Sequence, residues 1–151
     1  MKARISSTLN TPAEDAWSAI KQSKTLIFVT KGFLGFKGFK HFPEEWVEGN
    51  TEHTKLMFFG VIPGWQHRLH FSRISNKHRE LLTNEGGGLI PHWQHRMKVT
   101  PISATHCIYL DEIDIKAGAF TLPVWLYANI FYRYRQRRWR KLIKNDYSTE
   151  S

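Results

Sequence analysis

The sequence predicts an α+β protein with an antiparallel sheet of about seven strands, two short helices after the first strand and one long C-terminal helix. Two observations carry this prediction. Residues 46–116 form a series of segments in which apolar and polar residues alternate, separated by turn residues, as in an antiparallel meander. The end of the chain instead has its apolar residues at helical spacing.

A strand and two short helices are predicted before the meander. Residues 2–9 alternate apolar and polar side chains and form the first strand. The Thr-Pro-Ala-Glu sequence that begins at Thr11 predicts a helix start, with Thr11 as the N-cap and Glu14 closing a capping box. Residues 23–30 are expected to form a second short helix or an irregular turn. In residues 31–40 a Gly-Phe pair recurs every third residue, which predicts a loop with exposed or pocket-rimming phenylalanines.

The meander and the final helix follow from periodicity. Turn residues such as Gly49-Asn50 and Pro63-Gly64 separate six predicted strands, at 46–48, 55–61, 65–74, 79–85, 93–99 and 107–116. After Gly118 a helix is predicted over roughly residues 122–145. Its apolar arc is centred on Val124, Tyr127, Ala128, Phe131 and Leu142.

A four-residue sequence occurs twice in the meander. Trp65-Gln66-His67-Arg68 returns as Trp93-Gln94-His95-Arg96, and both copies continue an alternation that puts the bulky residues on one face. With the 79–85 strand between the two copies, both histidines fall on one concave and otherwise apolar face. We expect the functional site to lie on that face.

Composition limits the class of protein. A chain of 151 residues, 41% of them hydrophobic, is expected to form one domain over residues 1–151. Cys107 is the single cysteine, and the sequence has neither a signal-like start nor an apolar run of membrane length, so a cytoplasmic protein is predicted. The net charge is +9, and seven positive residues lie within 133–144. This clustering argues for a local basic patch and against a nucleic-acid binder.

The order of the elements resembles the START-like (SRPBCC) superfamily, whose helix-grip fold is shared by the birch pollen allergen, polyketide cyclases and lipid-transfer domains. The resemblance spans residues 2–145. It is most specific in a pattern similar to that of one bacterial ligand-binding subgroup, mostly of unassigned activity. Here the pattern reads Glu85-Gly86-Gly87, Trp93-x-His95, Thr105 with Asp111, and Tyr132-Arg133-Tyr134-Arg135-x-Arg137-Arg138. The resemblance implies a curved sheet that grips the long helix, with a cavity between them.

Strand pairing about each turn predicts what lines this cavity. We expect Phe59 opposite His67, His67 opposite Glu85, Glu85 opposite Trp93, and His95 opposite Asp111. The candidate ligand-binding residues are Met57, Phe59, Trp65, His67, Leu69, Glu85, Trp93, His95, Met97, Tyr109, Asp111, Val124, Tyr127, Phe131 and Arg135.

The four polar members of this set, His67, Glu85, His95 and Asp111, have several interpretations. They can hydrogen-bond one another and fix strand register, or form the polar end of an apolar pocket that orients a ligand's carbonyl or hydroxyl. They can also act in acid-base catalysis, as in cyclases or dehydratases with this fold. Two histidines and two carboxylates could hold a metal, but the imidazoles would have to lean across a middle strand. We predict neither a metal nor a cofactor.

The basic residues of the last helix divide between two faces. Arg135 and Arg138 fall on the apolar arc, where they pair with acids or hold an anionic group of the ligand. The outer cations could touch an anionic membrane surface, together with lysines and phenylalanines of the Gly-Phe segment. The candidates for this contact are Lys31, Lys37, Arg133, Arg137 and Arg140.

Two classes of function follow. The favoured one is a binder or carrier of a small hydrophobic ligand, such as a lipid, an isoprenoid or an aromatic polyketide, held between sheet and helix. The alternative is a cyclase- or dehydratase-like enzyme that uses His67, Glu85, His95 and Asp111. A peripheral lipid-transfer protein is a further alternative. The sequence contains no nucleophile elbow, phosphate loop or zinc-spaced cysteines, so nothing in it requires an enzyme.

Overall fold

The computed structural model describes residues 1–150. Six of its seven strands and its three α-helices follow the predicted order, and the seventh strand has four residues and lies inside the Gly-Phe segment. The elements are β1 (Lys2–Leu9), α1 (Ala13–Ile20), α2 (Ser23–Thr30), β2 (Leu34–Lys37), β3 (Thr51–Phe58), β4 (Ile62–Ser75), β5 (Glu80–Gly87), β6 (Ile90–Pro101), β7 (Cys107–Lys116) and α3 (Thr121–Lys144).

All strands belong to one antiparallel sheet in the order β1-β7-β6-β5-β4-β3-β2. Strands β3 to β7 form a meander, in which each strand pairs with its sequence neighbour. Strands β1 and β2 lie at opposite edges of the sheet, so α1 and α2 carry the chain from one edge to the other. The predicted fold class is confirmed.

Helix α3 packs on the sheet through the predicted apolar arc. Ala128, Phe131 and Leu142 are buried, and so is Trp139, whose ring lies 5.1 Å from that of Tyr109 in β7. Each large apolar side chain buried this way contributes about 1.5–3 kcal/mol. The core has two clusters, one with α1 and α2 around Trp17, and one with the first half of α3 around Ile113.

The predicted capping box at the start of α1 is wrong. The helix begins at Ala13, and the Pro12 carbonyl accepts the backbone N–H groups of Asp15 and Ala16. Thr11 Oγ1 instead lies 2.6 Å from the Tyr147 hydroxyl, and Glu14 pairs with Arg79. Tertiary partners at both ends of the motif therefore replace the local cap.

The Gly-Phe segment is more ordered than predicted. Leu34–Lys37 pairs with β3 as the edge strand β2, and Phe36 is buried. The ring of Phe33 packs 5.6 Å from Phe131, while Phe39 alone of the three phenylalanines is exposed. The predicted strand at 46–48 is absent from the described residues, since Glu45 forms only an isolated bridge with Gln22.

The predicted registers are wrong at three of the four hairpins. The β3–β4 turn is centred on Phe59 and Gly60, which both have positive φ angles, and not on Pro63-Gly64. His67 therefore lies opposite Thr54, not Phe59. Glu85 lies opposite Leu69 in the β4–β5 hairpin and Asp111 lies opposite Met97 in the β6–β7 hairpin, so their predicted histidine partners are diagonal neighbours. The predicted pairing of Glu85 with Trp93 is correct.

Candidate functional site: a cavity between the sheet and α3

A cavity of about 320 Å³ lies between the concave face of the sheet and α3. This volume is at the lower end of the range found for ligand pockets. Most of its lining is apolar, contributed by the meander, by β2 and by α3. Eleven of the fifteen candidate residues line it, namely Trp65, His67, Leu69, Glu85, Trp93, His95, Met97, Val124, Tyr127, Phe131 and Arg135.

Four candidates do not line the cavity. Met57 and Phe59 were predicted to face inwards, but in β3 the inward residues are Leu56 and Phe58, and Phe59 lies in the exposed turn. Residues 56–59 are all apolar, so alternation alone does not decide which face each one takes. Tyr109 and Asp111 point inwards, but both are fully buried behind the cavity wall.

Glu85 and His67 form one polar pair in the cavity wall. His67 Nε2 lies 3.0 Å from Glu85 Oε2, and the Thr83 hydroxyl donates to Glu85 Oε1 at 2.6 Å. Burial alone would raise the pKa of Glu85, but the hydrogen bond and charge of His67 outweigh it and leave the pKa below its ordinary value. Glu85 is therefore an ionised carboxylate, and His67 Nε2 must carry the proton between them.

His95 and Asp111 form a second pair one layer deeper. His95 Nε2 lies 2.8 Å from Asp111 Oδ1, which also accepts the Tyr109 hydroxyl at 2.8 Å. Burial would raise the pKa of Asp111, but the Arg135 charge and the His95 hydrogen bond hold it below its ordinary value. The ionised carboxylate can only accept, so His95 donates through Nε2 and its Nδ1 faces the Tyr132 hydroxyl at 3.4 Å.

Arg135 supplies the positive charge of the cluster. Its Nη2 donates to the Tyr109 hydroxyl at 3.1 Å and its Nη1 lies 4.0 Å from Asp111. Burial would lower the pKa of Arg135, but its acidic neighbours, beginning with Tyr109 and Asp111, raise it above the ordinary value. The buried guanidinium thus balances the charge of Asp111 and also interacts with the more distant charge of Glu85.

Several polar atoms of the cavity residues have no partner among the described residues. They include His67 Nδ1, Trp65 Nε1 and the Tyr127 hydroxyl. Burial also raises the pKa of Tyr127 to about 12, so this hydroxyl stays protonated at neutral pH. Because a buried polar group without a hydrogen bond costs free energy, these atoms leave the cavity residues with unsatisfied hydrogen-bonding capacity.

The sequence reasoning missed several residues of the site. Tyr132 and Trp139 line the cavity from α3, Thr83 positions Glu85, and the Gln136 amide donates to Asp111 Oδ2 at 3.3 Å. The sequence pattern could have identified Thr83, because it lies two residues before Glu85 and therefore on the same inward face of the strand. No sequence pattern marked Gln136, because a polar residue on a helix can be assigned to a buried position only when its hydrogen-bond partner is known. Residues 1–150 contain no cluster of three or more acidic, histidine or cysteine side chains that could hold a metal.

Several solved structures have a similar fold. A START superfamily protein from Mycobacterium smegmatis superposes with a TM-score of 0.67 at 8% identity, over 95% of this chain and 97% of the other. This chain has the START-like helix-grip fold. Norcoclaurine synthase from Thalictrum flavum superposes on this chain with a TM-score of 0.68 at 15% identity, covering 95% of this chain and 92% of the other.

A third structure with the START-like fold is the di-domain ARO/CYC protein BexL from the BE-7585A biosynthetic pathway. It superposes with a TM-score of 0.69 at 13% identity, over 95% of this chain and 46% of BexL. No protein-family model and no curated protein matches the sequence. The names of the START-like neighbours give no support to the predicted contact with a membrane. No helix within residues 1–150 is long and apolar enough to span one.

Proposed function

We propose that this protein binds a small hydrophobic ligand that carries one polar, hydrogen-bonding group. The observation that supports this is a cavity of about 320 Å³ whose largely apolar wall contains the hydrogen-bonded pair of Glu85 and His67. An apolar pocket with a few fixed polar groups is the usual form of a small-molecule site. The ligand's skeleton packs against Trp65, Leu69 and Phe131, and its polar group meets the Glu85–His67 end.

The polar end selects the chemistry of the ligand. The ionised Glu85 accepts hydrogen bonds, and two of the unpartnered atoms, Trp65 Nε1 and the Tyr127 hydroxyl, can donate them. A hydroxyl group that donates to one and accepts from another fits this set, and so does a carbonyl that accepts from the donors. A ligand carboxylate would meet the Glu85 charge and is disfavoured. Aromatic or isoprenoid alcohols, phenols and ketones are therefore the proposed class.

Probe binding tests the proposal. N-phenyl-1-naphthylamine, an uncharged fluorescent amine, should bind the parent protein with one-to-one stoichiometry. Val124→Trp adds an indole on the cavity side of α3 and should weaken binding roughly tenfold or more, since it removes space of ligand size. Ile130→Trp, on the exposed side of the same helix, is the matched control and should bind like the parent.

Native mass spectrometry of gently purified protein supplies an independent readout. The parent should retain a small molecule that Val124→Trp lacks. If the parent neither retains a molecule nor binds the probe, the proposal is wrong. Equal binding by the parent and Val124→Trp would place the probe outside the cavity and would also contradict it.

The His95–Asp111 pair favours a second candidate, a cyclase- or dehydratase-like enzyme. His95 lines the cavity, and Asp111 orients its ring as a carboxylate orients the histidine of a catalytic pair. Two neighbours with this fold, norcoclaurine synthase and the ARO/CYC protein BexL, carry names of biosynthetic proteins. In this candidate His95 Nδ1 moves a proton to or from the ligand.

Comparison of the molecules extracted from the parent and from His95→Gln separates the two candidates. A binder yields the same ligand mass from both proteins. An enzyme yields a different mass from the variant, because the unconverted substrate stays in the cavity.

A further inference from the structure

Exposed apolar side chains surround the mouth of the cavity. Leu89, in the β5–β6 hairpin, and Phe120, just before α3, both line the cavity, yet they are 58% and 53% exposed. Next to them lie exposed residues of the β3–β4 turn and of the first turns of α3. We call this surface the apolar rim, which consists of Phe59, Val61, Leu89, Phe120, Leu122 and Leu126.

Contacts between the segments place the rim on one end of the molecule. Phe33 joins the β3–β4 turn to α3, since its ring lies 5.4 Å from Phe59 and 5.5 Å from Tyr127. The Gly88 backbone of the β5–β6 hairpin lies directly against the Trp65 indole at the start of β4. Three separate segments thus present their apolar tips around one opening. A group of this kind is more than the scattered apolar exposure of an ordinary surface.

The outer face of α3 continues this surface with positive charge. Its exposed positions follow at spacings of three or four residues and therefore form one line along the helix. Leu122, Leu126 and Ile130 come first and are more than half exposed. The line then continues with Arg133, Arg137, Arg140 and Lys144, all exposed. The sequence of α3 contains no aspartate or glutamate, so its outward charge is not neutralised within the helix.

We propose that the apolar rim and the outer face of α3 form a docking surface for an anionic lipid bilayer. The rim enters the interface between headgroups and acyl chains, and the arginines of α3 bind the lipid phosphates. The cavity mouth then opens onto the bilayer, so a hydrophobic ligand passes between membrane and cavity without crossing water. The docking itself goes beyond the proposed function, and empty vesicles test it without any ligand.

A bilayer fits this surface better than a protein partner does. The outer face of α3 is the exposed side of a helix and is therefore convex, and a fluid bilayer adapts to a convex surface. Along α3 the exposed apolar residues come first and the exposed basic residues follow. The helix can therefore place its apolar half near the acyl chains and its basic half at the headgroups. This surface differs from the predicted one, because Phe36 of the Gly-Phe segment is buried and Phe33 is packed against α3.

Vesicle co-sedimentation of the full chain tests the proposal. The parent should pellet with vesicles that mix phosphatidylglycerol into phosphatidylcholine, should bind pure phosphatidylcholine less, and should be released by salt. Leu122→Ser combined with Leu126→Ser should lower the affinity roughly tenfold or more, because two apolar anchors are lost. Arg137→Gln combined with Arg140→Gln should reduce the preference for phosphatidylglycerol.

Matched pairs at the opposite ends of the strands provide the controls. Ile102 and Ile108 are exposed apolar residues near the β6–β7 turn, and Arg73 and Lys77 are exposed cations near the β4–β5 turn. The pairs Ile102→Ser with Ile108→Ser, and Arg73→Gln with Lys77→Gln, should bind vesicles like the parent. All variants are exposed-surface changes and should keep the parent's thermal midpoint.

Three results would overturn the proposal. The first is a parent protein that stays in the supernatant with every vesicle composition. The second is an equal loss of binding in the control pairs and in the rim and arginine pairs, which would mean that non-specific charge and hydrophobic adsorption cause the pelleting. The third is a dimer in analytical ultracentrifugation that Leu122→Ser with Leu126→Ser converts to a monomer, because the surface would then be an interface between two copies.

Discussion

Asp111 has the largest set of partners among the residues of the polar cluster. It is fully buried and accepts hydrogen bonds from His95, Tyr109 and Gln136, with Arg135 nearby. These partners come from β6, β7 and α3, so one carboxylate joins the sheet to the helix. Its lowered pKa means that the folded state prefers the ionised form more strongly than the unfolded state does.

Asp111→Asn should therefore destabilise the protein by about 3–5 kcal/mol, because it leaves the Arg135 charge buried without its counter-ion. Urea denaturation measures the loss. Adding Arg135→Met should recover part of it, whereas Asp146→Asn on the surface should change little. A single Asp111→Asn variant as stable as the parent would contradict the role assigned to this carboxylate.

The same residue gives a pH dependence. Both Asp111 and Glu85 have pKa values below their ordinary ones, so the two ionised carboxylates stabilise the folded protein at neutral pH. This stabilisation is lost as the pH falls below about 4 and then through the pKa values that the two groups have in the folded state. The free energy of unfolding of the parent should fall over this range more steeply than that of Asp111→Asn. Parallel curves would contradict the prediction.

At the scale of the elements, the β5–β6 hairpin depends on two glycines. Gly87 has a φ of +157°, and a Cβ at this position would lie 2.1 Å from the Gln66 carbonyl oxygen of the neighbouring strand. Gly88 has a φ of +52°, and its Cβ would meet the Trp65 ring at 2.3 Å. The hairpin can therefore approach β4 this closely only because Gly87 and Gly88 have no side chains. This contact brings Leu89 to the cavity mouth.

Gly87→Ala should cost at least about 3 kcal/mol, because the backbone of β4 must move to admit the methyl group. Gly49→Ala is the matched control. Gly49 also has a positive φ, +86°, but a Cβ there would meet no atom within 4 Å. It should lose only about 1 kcal/mol, from backbone strain alone. Equal losses in thermal unfolding would show that the close approach to β4 is unimportant.

At the scale of the whole molecule, pairing between the ends of the chain completes the sheet. Strand β1 pairs with β7 along its full length, and Gln136 of α3 donates to the Ile5 carbonyl at 2.8 Å. Cys107 lies at the start of β7 opposite Leu9, and both residues are fully buried. Burial also raises the pKa of the Cys107 thiol. This thiol therefore reports whether the two ends of the chain are together.

The Cys107 thiol should react with dithionitrobenzoate only when β1 and β7 separate. In native buffer its reaction should be slower by several orders of magnitude than in denaturant, and a bound ligand should slow it further. Ser148→Cys adds an exposed thiol near the C-terminus as the control, and that thiol should react at once. Rapid reaction of Cys107 in the native protein would show that the β1–β7 pair opens locally.

The sequence by itself determined the fold class and most of the faces. Alternation assigned His67, Glu85, His95 and Met97 to the concave side, because a strand places every second side chain on the same face whatever its partner. Helical spacing likewise put Val124, Phe131 and Arg135 towards the sheet. These residues are the ones that the structure finds at the cavity wall.

Only the tertiary structure decided register, the face of β3 and the exposed surface of α3. Alternation repeats every two residues, so it cannot distinguish an opposite partner on the next strand from a diagonal one. In the β3–β4 hairpin the turn decides the register, since Phe59 and Gly60 have the positive φ angles. Likewise, the helical pattern shows that Leu122 and Leu126 are apolar but not whether another element covers them. Side-chain periodicity is a local property of the chain, whereas pairing and exposure depend on which segments meet in space.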